Sequence, residues 1–185
     1  NVIFCWSGGK DSALAFHELA KSRRYQVVSL LTTVTTDYDR ISMHGVRRSL
    51  LHLQSRCLGI PVCEIPISKT CTNDEYEAKM AKALNDFKKS GISSVAFGDI
   101  FLEDLRLYRE SNLAKLGMKA IFPIWRRDTA ELSRSLAASG FHAITTCVDT
   151  RKLDKKFAGR MIDELFLDEL PSSVDPCGEN GESHS

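Results

Sequence analysis

The sequence predicts an α/β fold, a doubly wound and mostly parallel sheet with helices on both faces and a smaller C-terminal part. Three observations carry this reading. Short apolar runs alternate with stretches of helical periodicity along the whole chain. The apolar runs are near-continuous rather than alternating, as strands buried on both faces require. Glycine follows several of the helical stretches and ends them before the next strand, as in Leu58-Gly59-Ile60-Pro61, Ser90-Gly91, Leu116-Gly117 and Ser139-Gly140.

Taken in order, strands are expected at 2–6, 27–34, 62–67, 93–98, 120–124 and 143–148. Helices are expected near 11–22, 45–58, 73–90, 103–116, 129–139 and 160–169. In the second helix Val46, Leu50, Leu51, Leu53 and Leu58 recur at helical spacing, which predicts an apolar face. Parallel neighbours need a crossover helix, and ligands of such sheets bind outside the carboxyl ends of the strands, near the topological switch point. With 185 residues the prior is one domain with room for an appended unit. Residues 1–122 read as the main unit and 123–185 as the smaller one.

Composition excludes more than it names. Lys and Arg number 25 against 24 Asp and Glu, a net charge of +1, so no global field draws the chain to nucleic acid or membrane. Basic clusters at 22–24, 46–49 and 125–128 are local. Six cysteines are scattered with no CxxC pair, which speaks against zinc and against a disulfide framework. With no signal peptide and no apolar run long enough to span a bilayer, the expected compartment is the cytoplasm.

The opening NVIFCWSGGKDSALAFHELAK holds the most specific signal, Ser7-Gly8-Gly9-Lys10-Asp11-Ser12 between a strand and a helix. A P-loop would need Gly where Phe4 stands and Ser or Thr where Asp11 stands, so that reading fails. What remains is a turn whose glycines let backbone N–H groups approach an anion, at the positive end of a helix. Asp11 sits where a carboxylate caps the first turn or helps hold Mg²⁺ beside phosphates. The plain alternative is a tight strand-to-helix turn capped by Asp11.

The hexapeptide resembles the pyrophosphate loop (PP-loop) of the N-type ATP pyrophosphatases, a superfamily of HUP, or adenine nucleotide alpha-hydrolase-like, Rossmann-like fold. SMHGVRRSLL after the second strand, FGDIFLEDLRLYRE after the fourth and VDPCGENGESHS at the close narrow the resemblance. Together they look like the diphthine–ammonia ligase family and its small prokaryotic relatives, in order along the whole chain. The resemblance implies ATP and Mg²⁺ as cofactors. A substrate carboxylate would be adenylated with release of pyrophosphate, and ammonia would displace AMP to leave an amide. It makes 1–122 the nucleotide-binding domain and 123–185 the substrate-recognition part.

Residue by residue, it implies that Ser7, Gly8, Gly9, Lys10, Asp11 and Ser12 cradle phosphates. Lys10, Asp11 and Asp99 are the catalytic candidates, with Asp11 and Asp99 also the Mg²⁺ candidates. Gly98 with Asp99 falls at the carboxyl end of the fourth strand, on the edge that carries the cradle; helix capping by Asp99 is the plain alternative. Thr33 ends the second strand where this superfamily meets adenine through backbone groups, and His44 contacts nucleotide or caps a helix. Arg106 and Arg109 share a helix face, and Arg109 is a candidate for acyl-adenylate or phosphate, or for pairing with an acid of its own helix. Asp149, Glu179, Asn180, Gly181 and Glu182 are the candidate substrate contacts, the loop acids suiting an ammonium group. Ser183 stands where relatives carry an aromatic residue and then continue, so the chain reads as clipped just beyond the motif.

The expected partners are ATP, ammonia and a carboxylate substrate, possible identities of which include diphthine on translation elongation factor 2, with no membrane and no nucleic acid. No interface between copies is legible. Two rivals stay open: a tRNA thiolase using Cys147 as sulfur carrier, and a non-catalytic adenine-nucleotide-binding module.

Overall fold

A computed structural model describes residues 1–42 and 44–185; Met43 of the SMHGVRRSLL stretch lies outside the described residues. Five parallel strands build the sheet: β1 (Val2–Cys5), β2 (Val27–Thr35), β4 (Val62–Ile67), β5 (Ser94–Ala96) and β6 (Lys119–Ile121). Their pairings run β4–β2–β1–β5–β6, the doubly wound order in which the chain reverses direction across the sheet between β1 and β5. The cradle follows β1 and Gly98-Asp99 follows β5, so both lie at this switch point.

Helices cover both faces as expected. Strand residues alternate in direction, so Val2 and Phe4 enter one core while Ile3 enters the other. The first core is closed by α1 (Lys10–Lys21), α2 (Arg48–Leu58) and α5 (Thr129–Ala138) through Leu14, Leu19, Leu51, Leu132 and Leu136. The second is closed by α3 (Asn73–Lys89) and α4 (Glu103–Lys115) through Leu84 and Leu113. Pro66 sits in β4, whose outer edge needs no ladder donor.

Five expectations need correction. A short antiparallel strand β3 (Arg40–Ile41) pairs with the end of β2, and a bridge from Arg40 to Arg47 holds residues 45–47 out of α2. On that helix Leu51 is buried but Leu50 and Leu53 are about half exposed, at 48% and 47%, so the apolar face is narrower than the spacing suggested. The run at 120–124 ends as a strand at Ile121. The run at 143–148 does not join the main sheet: Ile162 N–H donates to Ala143 O (2.8 Å) and Thr145 N–H to Arg160 O (2.9 Å). The same pairing keeps 160–162 extended. Helix α6 (Glu164–Asp168) therefore starts only where Asp163 caps Phe166 N–H.

Beyond it, β7 (Cys147–Val148) pairs antiparallel with β8 (Ser183–His184). A satellite core of Leu153, Phe157, Ile162, Phe166, Leu167 and Val174 supports this C-terminal part. No helix among the described residues is long and apolar enough to cross a membrane.

Candidate active site

The cradle is closed by its own hydroxyls. Ser7 N–H donates to Ser12 Oγ (3.1 Å), the two serine hydroxyls share a hydrogen bond (2.7 Å), and Gly9 N–H donates to Ser7 Oγ (3.3 Å). Gly8 has φ +83°, a left-handed conformation open to glycine. Helix α1 begins at Lys10 with Gly9 as N-cap and no side-chain cap, so Asp11 does not cap it, and the first-turn amides have no intrahelical acceptor. From α2, Gln54 pins the turn: its Nε2 donates to Gly8 O (3.0 Å) while its Oε1 accepts from Trp6 Nε1 (2.9 Å). Gln54 was invisible as a site residue because nothing in its neighbourhood marks it.

Gly98 packs against this turn. A Cβ there would lie 3.1 Å from Asp11 O and from Ser12 N and Cα, so any larger residue would have to push the first turn of α1 away from the end of β5. Asp99, the next residue, is paired with Arg109 of α4: Nη2 donates to Oδ1 (3.2 Å), and Nε lies 2.7 Å from Oδ2. The Arg109 guanidinium rests 4.4 Å over the Phe97 ring. Arg109 thus pairs with the sheet-edge acid rather than with Glu110, which takes Arg106 at 2.8 Å.

Asp11 and Lys10 differ sharply. Lys10, with 7% of its side chain exposed, spans to Asp11 Oδ2 at 3.0 Å and donates to Cys177 O at 2.6 Å. Asp11 Oδ1 is buried with no partner among the described residues. One unspent carboxylate oxygen beside free helix amides fits Mg²⁺, which binds through one or two carboxylates plus substrate phosphates. No cluster of three metal-ligating side chains exists among the described residues.

The cleft beside the cradle, about 140 Å³, is lined by Trp6, Ser7, Thr33, His44, Tyr76 and Arg109, among others. Thr33 and His44 are therefore brought to the cradle. Burial, then the neighbouring His184, pushes the His44 imidazole down from its ordinary value, so the ring is held neutral despite Asp11 nearby.

The C-terminal loop folds onto the same place. Asp175, not singled out by its sequence, organises its first half: Oδ1 accepts from Cys177 N–H (2.8 Å) and Glu179 N–H (3.3 Å), and Oδ2 from Thr129 Oγ1 (2.8 Å). Glu182, 3% exposed, organises the second half. Its Oε1 accepts from Asp175 N–H and Asn180 Nδ2, both at 3.1 Å, and its Oε2 from Asn180 N–H at 3.0 Å. Burial alone would raise its pKa; these donors outweigh burial and hold the carboxyl below the usual range. Both Glu182 oxygens are spent inside the loop.

Gly178 and Gly181 take φ of +75° and +77°, and a Cβ on Gly178 would collide with Ser183 O. A Cβ on Gly9 would lie 2.8 Å from Ser185 O, so the tail also lies on the cradle. Glu179 is half-buried with no hydrogen-bond partner for its carboxylate among the described residues. Burial first, then Asp11, Asp175 and Asp99, pushes it up to about 7, against the pull of Lys10. Asp149 lies beside the loop, donating its N–H to Glu182 O (2.9 Å), but its carboxylate is taken by Arg151 (2.8 Å). Cys147 is exposed on β7, and the cysteine at the cradle is Cys177, buried and pushed up to about 12. That thiol stays protonated.

Two family models divide the chain between them. The Diphthamide synthase N-terminal domain matches residues 1–120 and the Diphthamide synthase C-terminal domain matches 128–185. The chain belongs to the diphthamide synthase family. Both SGGKDS and the closing loop fall within the matched residues of that family.

Among curated proteins, the diphthine–ammonia ligase of Danio rerio is 27% identical over 202 residues, covering 98% of this chain and 79% of that protein. The Schizosaccharomyces pombe protein of the same name is 25% identical and covers 98% of this chain. This chain spans only 33% of its length. The Homo sapiens one is 23% identical, covering 95% and 74%. Among solved structures, the U34-tRNA thiolase NcsA from Methanococcus maripaludis with its [4Fe-4S] cluster gives a TM-score of 0.42 at 16% identity, over 97% of this chain and 65% of that chain.

Proposed function

We propose that this diphthamide synthase family member is an ATP-dependent amide ligase. It would adenylate a carboxylate, releasing pyrophosphate, and pass ammonia to the acyl-adenylate, releasing AMP. Diphthine is the acceptor that the relatives' name supports, and translation elongation factor 2 is the protein proposed to bear it. The observation that carries this reading is the Lys10–Cys177 hydrogen bond at 2.6 Å, which latches the closing loop to the phosphate cradle and sets the Glu179 carboxyl beside Asp11. On this reading 1–122 serves the nucleotide and 123–185 the acceptor.

The chain's own residues divide the work. The amides of Gly8, Lys10, Asp11 and Ser12, and the one serine hydroxyl proton that the Ser7–Ser12 bond leaves over, hold phosphate oxygens by directed hydrogen bonds and the helix dipole. Charge accumulates on the departing pyrophosphate, and a preorganised cradle stabilises it without reorganising. Asp11 Oδ1 would hold Mg²⁺, which when bound neutralises phosphate charge. Thr33 and neutral His44 border the space for the base. Arg109, steadied by Asp99 and Phe97, steers the acceptor carboxylate toward the α-phosphorus. Asn180 and Gly181 shape the loop that covers the acceptor.

When ammonia adds to the acyl carbon, a proton must leave the new C–N centre as AMP departs. A carboxyl poised near 7 suits that transfer, and Glu179 has both the poise and an unspent pair of oxygens. The ionised form is needed, so turnover corrected for the free ammonia present rises with pH through about 7. In Glu179→Gln that rise disappears.

Product analysis of Mg·ATP turnover with ammonium and diphthine-bearing elongation factor tests the reading. AMP plus pyrophosphate, lost in Asp11→Ala, is the expected result. ADP plus phosphate, or ATP bound and never turned over, contradicts it.

A further inference from the structure

Helix α2 turns one face inward, and Leu51, Gln54, Ser55 and Leu58 share that face at helical spacing. Leu51 and Leu58 belong to the first core, and Ser55 turns its hydroxyl back to Ile60 O (2.6 Å). Gln54 instead sends its amide across to the cradle turn.

Its two partners leave that amide a single orientation. An indole N–H can only donate and a carbonyl can only accept, so Oε1 must meet Trp6 Nε1 (2.9 Å) and Nε2 must meet Gly8 O (3.0 Å). The turn is closely packed on this side. A Cβ on Gly8 would lie 3.2 Å from Gln54 Oε1, 3.3 Å from Ile41 Cδ1 and 3.4 Å from Val46 Cγ1. Without Gln54 the carbonyl would face aliphatic groups with its acceptor unspent, which is costly.

The bond holds a peptide plane that is otherwise loose. Turning the Gly8–Gly9 peptide changes ψ of Gly8 and φ of Gly9, and glycine at both positions removes the side-chain clashes that would oppose it. In a trans peptide the C=O and N–H point opposite ways. Here the carbonyl points to Gln54, and the Gly9 N–H points to Ser7 Oγ (3.3 Å). Turned over, the plane would aim the carbonyl at the Ser7–Ser12 hydroxyl pair. Its oxygen would then take the spare hydroxyl proton and repel an anion.

We propose that Trp6 and Gln54 form a relay that keeps the Gly8 carbonyl out of the cradle, which makes Gln54 a positioning residue for phosphate binding. Gln54 acts through the turn and needs no contact with the ligand. That the anion is the polyphosphate of ATP rests on the ligase reading above; the hold on the peptide does not.

The test compares Gln54→Met, which keeps the length of the side chain and loses both bonds, with Trp6→Phe, which removes only the donor that orients the amide. Dissociation constants for Mg·ATP and for inorganic pyrophosphate are measured by calorimetric titration, with thermal unfolding of each variant as the folding control. In Gln54→Met both constants should rise about tenfold, equivalent to about 1.4 kcal/mol. The factor should be the same for both ligands, because pyrophosphate meets only the cradle. In Trp6→Phe the pyrophosphate constant should rise about threefold, within the range of one net hydrogen bond. Unchanged constants in folded Gln54→Met overturn the relay and leave ATP binding standing. A loss for ATP without a matching loss for pyrophosphate also overturns it, since the defect then lies at the base. Should Gln54→Met fail to fold, Trp6→Phe decides, and an unchanged pyrophosphate constant there overturns the relay. An unaltered chain that binds neither ligand sinks the ligase reading and the relay with it.

Discussion

The cradle at Ser7–Ser12 and the loop at Asp175–Glu182 meet at one place but are held in different ways. The cradle is closed by neutral hydroxyls and amides within five residues of one another and opens a 12-residue helix. The loop has no helix and is folded around two carboxylates, Asp175 and Glu182, and its position depends on Lys10, Thr129 and β7. The neutral cradle should keep its shape across pH and tolerate changes elsewhere. The loop should respond to acid, to base and to single substitutions at its anchors.

The largest effect is expected at Asp11. Asp11→Ala should lower AMP formation by about 100-fold or more, the scale of losing one preorganised charge at a transition state, while the fold and its melting temperature hold. Lost turnover together with unfolding would instead make Asp11 structural.

Next comes Glu182→Ala, which strips partners from the Asp175 and Asn180 amides. Leaving these partly buried donors unpaired costs up to about 1–3 kcal/mol, and limited proteolysis should then cut near 175–182 first. A cut pattern like that of the unaltered chain would show that Glu182 does not hold the loop.

Overpacking ranks third. Gly98→Ala forces a Cβ 3.1 Å from the backbone of Asp11 and Ser12, at about 1–3 kcal/mol, and should weaken ATP binding as the first turn of α1 shifts. Gly45→Ala, where a Cβ meets nothing within 4 Å among the described residues but φ is +67°, should leave ATP binding alone and cost only backbone strain.

The smallest effect is a pH signature with opposite signs at two loop acids. Glu179 is raised from 4.5 to about 7 in the folded chain, so the fold binds its proton more tightly. Its contribution is intact below 4.5 and is lost as pH rises toward 7. Glu182 is lowered, so its contribution is present above the ordinary glutamate value and is lost in acid. Urea unfolding of Glu179→Gln should therefore show a gain over the unaltered chain at pH 8 and none at pH 4. A gain of equal size at both pH values would remove the electrostatic explanation.

The turn at Ser7–Ser12 was legible because six adjacent residues must share one conformation, so its shape is written contiguously. The parallel sheet was legible because burial on both faces leaves continuous apolar runs. The C-terminal part was not, because 143–148 and 160–162 are apolar enough for strand or helix, and only their mutual pairing decides. The roles of the loop acids were likewise hidden. GENGE announces two glutamates, yet burial and backbone donors commit Glu182 to structure and leave Glu179 unspent. Asp175 and Gln54 act through tertiary contacts that no local pattern signals. Gly98 was read as a ligand contact, and its surroundings in the fold add a packing reason for glycine there.

The claim on which the account turns is that cradle and loop form one site. Amide hydrogen exchange with and without Mg·ATP tests it directly. The account predicts that ATP changes exchange at 7–13 and at 175–182 together, and that Lys10→Met, which breaks the latch to Cys177, uncouples the second region from the first. Protection confined to 7–13 in the unaltered chain would contradict it.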